Sequence, residues 1–136
     1  MIKAIRISEK TTTEEAFFSL PAVNVQQALT FLFLMKRWNR GDFFKHTLRS
    51  EKSFDRIVNN DKRKVRLGTI LAYAFALDYG QMVGAYLIVL AGYKLSDVPY
   101  GYIRLMADFR HHSLPEVREY ALSQNLPDVL GEDINA

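Results

Sequence analysis

The chain has 136 residues, 49% of them hydrophobic and 24% charged, which suits one globular domain and leaves no room for two ordinary cores. It contains no cysteine, so disulfides, thiolate metal sites and cysteine nucleophiles are excluded together. The formal net charge is only +3, but the charges are unevenly distributed along the chain. We therefore predict a single domain over residues 1–136 that folds without covalent cross-links.

The N-terminal region carries the first helix signals. Apolar residues alternate only partly at the start, which fits either a short strand or an extended arm over residues 1–10. Two acids in a first turn, Glu14 and Glu15, favour a short helix that ends at Phe18. Asn24 with a glutamine three positions later resembles a capping box. The helix that follows has apolar residues on nearly every face, so we expect it to be buried.

Further helices are predicted in the centre of the chain. Gly41 is typical of a helix C-terminus, and Asp42 and Ser53 are typical N-caps of two short helices. From Lys62 the apolar residues recur at helical spacing as far as Gly80. The run Lys-Arg-Lys-Val-Arg that begins at Lys62 is therefore predicted to form the first turn of a long helix.

Residues 67–93 contain one acid, Asp78, and no basic residue. The segment is long enough to span a bilayer, but a carboxylate in mid-span is costly in lipid, which argues against a membrane partner. We predict two consecutive buried helices, with a strand as the alternative for residues 81–93 because they are rich in β-branched side chains. For Asp78 we expect a solvent-facing edge or a hydrogen bond with a tyrosine such as Tyr73 or Tyr102.

The C-terminal third contains the clearest local signal in the chain. Residues 113–116 provide a serine cap, an early proline and a glutamate at the capping-box position, which predict a helix through about Gln124. Another helix is predicted over residues 100–110, and an acidic tail over residues 126–136. Taken together, the elements predict an all-α fold, a compact single-domain bundle of about six helices.

No catalytic or metal site is visible in the sequence. Asp108 and His112 stand four residues apart on one predicted helical face, but no third ligand follows, so we expect the histidines to interact with a helix C-terminus. Glycine spacings of phosphate-binding or dinucleotide-binding loops are absent, as is a nucleophile elbow. We therefore predict no catalytic residue, no metal and no cofactor, and expect a binding protein rather than an enzyme.

The basic stretch, residues 36–66, holds eleven Lys or Arg against four acids, a local charge of +7. Residues 107–136 hold two against six, a local charge of −4. Lysine and arginine near phosphates release condensed counterions, which gives affinity for nucleic acid of any sequence. The predicted nucleic-acid-binding residues are Lys36, Arg37, Trp38, Arg40, Lys45, Arg49, Lys62, Arg63, Lys64 and Arg66.

Aromatic residues interleave with the first of these cations. An exposed ring of Trp38 could stack on a base, whereas Phe43 and Phe44 are better explained as core anchors at a helix–helix corner. For Trp38 both interpretations stay open.

Two functional hypotheses follow. The first is a helical protein that binds DNA or RNA, or associates with nucleoprotein, through the basic stretch. The second is a protein–protein adaptor or small regulatory protein, which the seven Tyr, nine Phe and one Trp favour because aromatic side chains anchor interfaces. A homo-oligomer belongs to this second class. The first ten residues lack the uninterrupted apolar stretch of a signal peptide, so we expect a cytoplasmic protein.

Overall fold

The computed structural model describes residues 13–21 and 23–131, and within these ranges its regular elements are all helical. There are eight α-helices, one short 3-10 helix at Leu95–Asp97, and no strand in the described residues. The all-α prediction is confirmed, with more helices than the six expected, while the arm predicted over residues 1–10 lies outside the described residues. The helices are α1 Thr13–Phe18, α2 Val25–Lys36, α3 Arg40–Thr47, α4 Glu51–Val58, α5 Leu67–Leu77, α6 Gln81–Leu90, α7 Tyr102–Asp108 and α8 Leu114–Ser123.

Helix α5 lies at the centre of the molecule. It packs against α2, α3, α6 and α8, and its residues 68–75 are all buried. Helix α2 also packs against α1, α4 and α6. A single hydrophobic core includes buried side chains from Phe17 in α1 to Leu130 near the C-terminus. Each large apolar side chain stabilises the fold by roughly 1.5–3 kcal/mol when it is buried. A helix at the centre of the core is therefore expected to consist of apolar residues and to carry no charged side chain.

The apolar segment 67–93 forms two helices. Helix α5 ends where Asp78 adopts a left-handed conformation with φ of 55°, and Gly80, with φ of 90°, begins the turn into α6. A φ of 90° is readily adopted only by glycine. The prediction of two consecutive helices is confirmed, but only α5 is buried as expected, since α6 buries one face and exposes the other. The strand alternative for residues 81–93 is wrong. Among the described helices, none combines the length and apolar character needed to cross a bilayer.

Two predicted capping boxes are confirmed. At the start of α2, Asn24 Oδ1 accepts from the Gln27 N–H at 2.8 Å, and Gln27 Oε1 accepts from the Asn24 N–H at 3.1 Å. At the start of α8, Ser113 and Glu116 exchange the equivalent pair of bonds. Each box satisfies two backbone N–H groups that the helix itself leaves unpaired.

Helices α3 and α4 begin about one turn earlier than predicted. Asn39 caps α3, and Asp42, which was expected to be the cap, is the third helical residue and completes a capping box with Asn39. Ser50 caps α4 and accepts from the Ser53 N–H at 3.3 Å. In both cases the sequence has two residues that can cap a helix, three positions apart. The prediction chose the second residue of each pair, and the structure uses the first.

Helix α5 begins later than predicted. Its first residue is Leu67 and its N-cap is Arg66, so residues 61–66 form a segment without regular secondary structure. Gln26 Nε2 in α2 donates to the carbonyl of Arg63 at 3.1 Å, and the Tyr93 hydroxyl donates to the carbonyl of Val65 at 2.7 Å. These bonds hold the basic segment against the helical body. The prediction that its cations form the first turn of a helix is wrong.

The acidic tail predicted over residues 126–136 packs against the body in its described part. Leu130 is fully buried, and the Tyr102 hydroxyl donates to the carbonyl of Pro127 at 2.5 Å. Arg118 and Asp128 form a two-bond ion pair at 2.9 and 2.7 Å. The hydrogen bond from Arg118 lowers the pKa of the Asp128 carboxyl. Residues 132–136 lie outside the described residues.

Candidate functional site

A cavity of about 280 Å³ opens where α4, residues 61–66 and the start of α5 meet. Most of the residues that line it are polar or charged by type, and among the described residues the lining includes five cations and a single carboxylate, a formal charge of +4 (five minus one). The cations belong to three different parts of the chain. We call this cavity the cationic cleft; its charged residues are Arg49, Arg56, Asp61, Arg63, Lys64 and Arg66.

The segment before α5 supplies most of these charges. Asp61 accepts a bond from the Arg63 backbone N–H at 3.1 Å and forms an ion pair with the Arg63 side chain at 3.2 Å. The Lys64 ammonium lies 4.5 Å from the ring centre of Tyr93, a cation–π distance. The cleft therefore contains an ion pair between Asp61 and Arg63, and this carboxylate has a structural role in shaping the segment.

The start of α5 adds the positive end of a helix to the cleft. Arg66 is the N-cap, and its carbonyl accepts from the Ile70 N–H at 2.9 Å to begin the helix. Thr69 in the first turn and Tyr73 one turn later both line the cavity. A cation at a helix N-terminus is locally unfavourable, whereas an anion there is stabilised by the backbone dipoles. The local arrangement therefore favours an anion in the cleft.

Arg49 is the least exposed cation of the cleft, with 0% of its surface accessible. Its guanidinium donates to the carbonyl of Thr47 at 3.0 Å and to the carbonyl of Leu130 at 3.3 Å. Leu48, with φ of 60°, turns the chain inward just before it. The prediction that Arg49 contacts a phosphate at the surface is inconsistent with this burial. Its charge acts on the cleft from inside the fold.

The remaining predicted cations lie elsewhere. The Lys36 ammonium stands 4.6 Å from the ring centre of Tyr79, and Arg40 forms an ion pair with Asp55 at 2.8 Å. Lys62 lies between two lining residues in the sequence, but its side chain is exposed and is not part of the lining. The other five predicted residues lie where α2 ends and α3 begins, and none of them lines the cleft. We call this group the α2–α3 corner; its residues are Lys36, Arg37, Trp38, Arg40 and Lys45.

The aromatic residues of the α2–α3 corner belong mainly to the core. The indole of Trp38 is stacked on Phe33 and on His46, with ring centres 5.7 and 4.9 Å apart. Phe43 is fully buried, which confirms it as an anchor, whereas Phe44 is 44% exposed and is not one. Because its ring is already engaged, Trp38 fits the role of a structural anchor better than that of a base-stacking platform.

Four of the ten predicted residues therefore line the cleft, namely Arg49, Arg63, Lys64 and Arg66. The prediction missed Arg56, although it lies within the basic stretch. Ser53, Arg56 and Ile57 stand at helical spacings of three and four and together line the cleft from α4. The signal that could have identified Arg56 is this helical spacing, which places it on the same face of α4 as Ser53 and Ile57.

Asp78 has a different partner from the tyrosines expected. Its carboxylate accepts from Arg110 Nε at 2.6 Å and forms a pair with His111 Nδ1 at 3.1 Å, and its carbonyl accepts from a second Arg110 nitrogen at 2.6 Å. The side chain is 22% exposed. This half-buried ion pair joins the end of α5 to the end of α7 and needs no catalytic role to explain it.

No metal site is found among the described residues, since no group of three His, Asp or Glu side chains lies close enough to hold an ion. Asp108 bonds to Arg104 at 3.0 Å, and the His112 ring is stacked on Phe109 at 3.9 Å. The two residues considered as metal ligands therefore have different partners, Arg104 for Asp108 and Phe109 for His112.

A second surface feature lies on the outer face of α6. Met82, Tyr86 and Val89 recur at helical spacing and are 75%, 37% and 53% exposed. Phe18 of α1, itself 44% exposed, packs edge-to-face on Tyr86 with ring centres 5.7 Å apart. We call these four residues the α6 stripe.

Comparison of the chain with protein-family models, with curated proteins and with solved structures found no match. Function is therefore inferred from the geometry and charge of these two surfaces.

Proposed function

We propose that this protein binds nucleic acid, or associates with nucleoprotein, through the cationic cleft. The observation that carries the proposal is the concentration of charge: five cations from α4, its preceding loop and residues 61–66 face one cavity that contains, among the described residues, a single carboxylate. Phosphates of a DNA or RNA backbone would replace small counterions at this surface, and the release of those counterions would drive binding. No reaction is proposed.

The cleft supports contact with a backbone more than readout of bases. Its charged groups are mostly guanidiniums, whose planar donor pairs match phosphate oxygens. Trp38, the residue first considered for base stacking, is outside the lining and is stacked on other side chains. We therefore expect weak dependence on sequence and strong dependence on salt.

A salt titration tests this proposal. Affinity for a fluorescent oligonucleotide is measured between about 50 and 200 mM salt, for single-stranded RNA, single-stranded DNA and duplex DNA. Three to four phosphate contacts predict a slope of log K against log salt of about −2 to −4, since each contact contributes about −0.7 to −0.9. Affinity that does not change with salt, or no binding at the lowest salt, would overturn the proposal.

The α6 stripe supports a second candidate function, that of a protein–protein adaptor. Exposed aromatic and methionine side chains in one contiguous group are typical of interface anchors. Replacement of Met82 by glutamate tests this candidate by sedimentation of the purified protein. We expect wild type to associate with a second copy and the M82E variant to be monomeric; a monomeric wild type would count against self-association through the stripe.

A further inference from the structure

We infer that a second cavity of the molecule binds a small uncharged compound that has a carbonyl group and an apolar body, such as an aromatic amide. The cavity lies between α2 and the C-terminal end of α4 and has a volume of about 280 Å³. Its use does not depend on the proposed nucleic-acid binding. We call this cavity the α2–α4 groove; its apolar residues are Phe31, Leu34, Ile57 and Val58, and its side-chain amides are those of Gln27 and Asn60.

One wall of the groove is a single face of α2. Gln27, Thr30, Phe31 and Leu34 stand at spacings of three and four along the helix and all line the cavity. Leu34 is 66% exposed, and Val58, at the end of α4, is 37% exposed. A single exposed leucine is ordinary at a protein surface, but these apolar side chains share one concave site. An apolar body in the groove would remove hydrophobic surface of both helices from water, which favours binding.

The side-chain amides of the groove have fixed orientations, because backbone N–H groups determine which atom of each amide is the oxygen. The Gln27 N–H donates to Asn24 Oδ1 at 2.8 Å, and the Asn24 N–H donates to Gln27 Oε1 at 3.1 Å. A backbone N–H only donates, so both acceptors are carbonyl oxygens. Asn24 Nδ2 in turn donates to Asn60 Oδ1 at 2.9 Å, which fixes the third amide. Gln27 and Asn60 therefore each have their oxygen engaged by Asn24.

The nitrogens of these two amides remain as donors. Neither Gln27 Nε2 nor Asn60 Nδ2 has an acceptor among the described residues. The Thr30 hydroxyl differs, since it donates to the carbonyl of Gln26 at 2.8 Å within α2. A carbonyl oxygen has two lone pairs and accepts up to two hydrogen bonds. The groove therefore combines two oriented donors with an apolar wall, which is the usual composition of a small-molecule site.

The lack of charge in the groove sets the class of ligand. Among the described residues that line it, none is charged. Val58 is the last residue of α4, and the C-terminal end of a helix carries partial negative charge. A carboxylate there would lose hydration without gaining a cation as partner, whereas a neutral carbonyl loses less. The volume lies just below the roughly 300–1,000 Å³ that is usual for ligand pockets, so a compound with one ring has a suitable size.

The test uses phenylacetamide and phenylacetate, which share a ring and differ in charge. In protein labelled with nitrogen-15, the side-chain NH2 signals of Gln27 and Asn60 are followed by NMR while each compound is added. We expect phenylacetamide to shift both signals with a Kd of about 1–10 mM, as suits a small ligand in an open groove. We expect phenylacetate to bind at least about threefold more weakly, because its charge has no partner in the groove.

Two variants remove the donors and keep the hydrogen bonds that shape the groove. In Gln27→Glu and in Asn60→Asp an oxygen replaces the amide nitrogen, while the oxygen that accepts from Asn24 is retained. Asn60 has φ of 58°, a conformation that aspartate adopts more readily than most residues. Each variant should weaken phenylacetamide binding about three- to tenfold, the worth of one hydrogen bond. Asn59→Asp adds the same charge at the adjacent exposed position outside the lining, and should change the affinity less than about twofold.

A second pair of variants tests the apolar wall. Leu34→Gln removes an exposed apolar side chain from the groove and should weaken phenylacetamide binding about three- to tenfold. Leu122→Gln, at a 44% exposed position of α8 outside the lining, is the matched control and should leave the affinity nearly unchanged. Both residues are on the surface, so we expect the variants to fold.

Failure of this site is distinguishable from failure of the proposed function, because nucleic-acid binding is measured separately. No shift of the two NH2 signals at about 20 mM phenylacetamide, or unchanged affinity in both Gln27→Glu and Asn60→Asp, would overturn the small-molecule site. Tighter binding of phenylacetate than of phenylacetamide would contradict the uncharged class of ligand. A wild-type dimer that Leu34→Gln dissociates in sedimentation would show that a second copy covers the groove, and would also overturn the site.

Discussion

The cationic cleft and the α2–α3 corner come from the same basic stretch but differ in how their cations are arranged. At the corner, Lys36 lies over Tyr79 and Arg40 pairs with Asp55. In the cleft, five cations share one cavity with one carboxylate among the described residues. Local charge in a sequence therefore does not distinguish the cations that line one cavity from those that lie outside it.

The largest expected effect concerns the core beneath the corner. Phe43→Ala should reduce the free energy of unfolding by about 3–5 kcal/mol, because a fully buried ring is removed. Phe44→Ala, at the neighbouring exposed position, should change it by less than about 0.5 kcal/mol. Urea denaturation of both variants measures the difference. Similar losses for the two variants would contradict the assignment of Phe43 as the anchor of this corner.

The next largest effect concerns the contribution of each group of cations, cleft and corner, to nucleic-acid affinity. Neutralising three cleft residues should weaken nucleic-acid binding about 100-fold near 0.1 M salt and reduce the salt slope by about 2–3, whereas neutralising three corner residues should weaken it less than about threefold. Anisotropy titrations with one oligonucleotide measure both. The cleft variant is Arg56→Gln/Arg63→Gln/Arg66→Gln, and the corner variant is Arg37→Gln/Arg40→Gln/Lys45→Gln.

Equal losses for these two variants would mean that the whole basic stretch acts as one diffuse surface, and the distinction between cleft and corner would be lost. Circular dichroism of both variants shows whether each has kept its helices before affinities are compared.

Some of this molecule could be predicted from its sequence because the signals are local. The capping boxes at Asn24 and Ser113 depend on residues three positions apart, and both were predicted correctly. The segment 67–93, in which Asp78 is the only charged residue, similarly predicted two helices; α5 is almost entirely buried, whereas α6 has one buried face and one face open to water. Contacts within one turn, and the absence of charge, are visible in a linear sequence.

The cleft could not be predicted because distant contacts create it. Gln26 holds the carbonyl of Arg63 from 37 positions away, and Arg49 is anchored by the carbonyl of Leu130 from 81 positions away. The buried position of Arg49 contradicts what its residue type and neighbourhood suggest. The end of α2 also misled the prediction, since Arg37 takes the left-handed conformation that Gly41 was expected to take.

A smaller effect sharpens the role of charge inside the cleft. Asp61→Asn removes the carboxylate from the lining but keeps a side-chain oxygen that can accept from the Arg63 N–H. We expect nucleic-acid affinity to rise about two- to fivefold, in line with the modest worth of an exposed ion pair. Asp55→Asn, which removes the partner of Arg40 at the corner, serves as the control and should leave affinity nearly unchanged. A loss of affinity in Asp61→Asn would indicate that this carboxylate supports binding.

The smallest effect concerns the C-terminal segment whose Leu130 carbonyl accepts from Arg49. The pKa of Asp128 is below its ordinary value of 3.8 because Arg118 donates to it, so its contribution to stability is present above that value and is lost as the pH falls through the folded-state pKa. Asp128→Asn should cost less than about 1 kcal/mol at pH 7, because the pair is partly exposed.

The stability difference between wild type and Asp128→Asn should shrink as the pH falls below 3.8. Urea denaturation over a pH series measures it, with Glu119→Gln as a control on the same helix as Arg118. A difference that stays constant through the acid range would contradict this account of the pair.

The location of the bound strand can be observed directly from the arginine side chains. In a protein labelled with nitrogen-15, the Nε–H signals are followed by NMR while a single-stranded oligonucleotide is added. We expect shifts at Arg56, Arg63 and Arg66 in the cleft, and little change at Arg40, which remains paired with Asp55. Shifts confined to Arg37 and Arg40 at the corner, with unchanged cleft signals, would contradict this expectation.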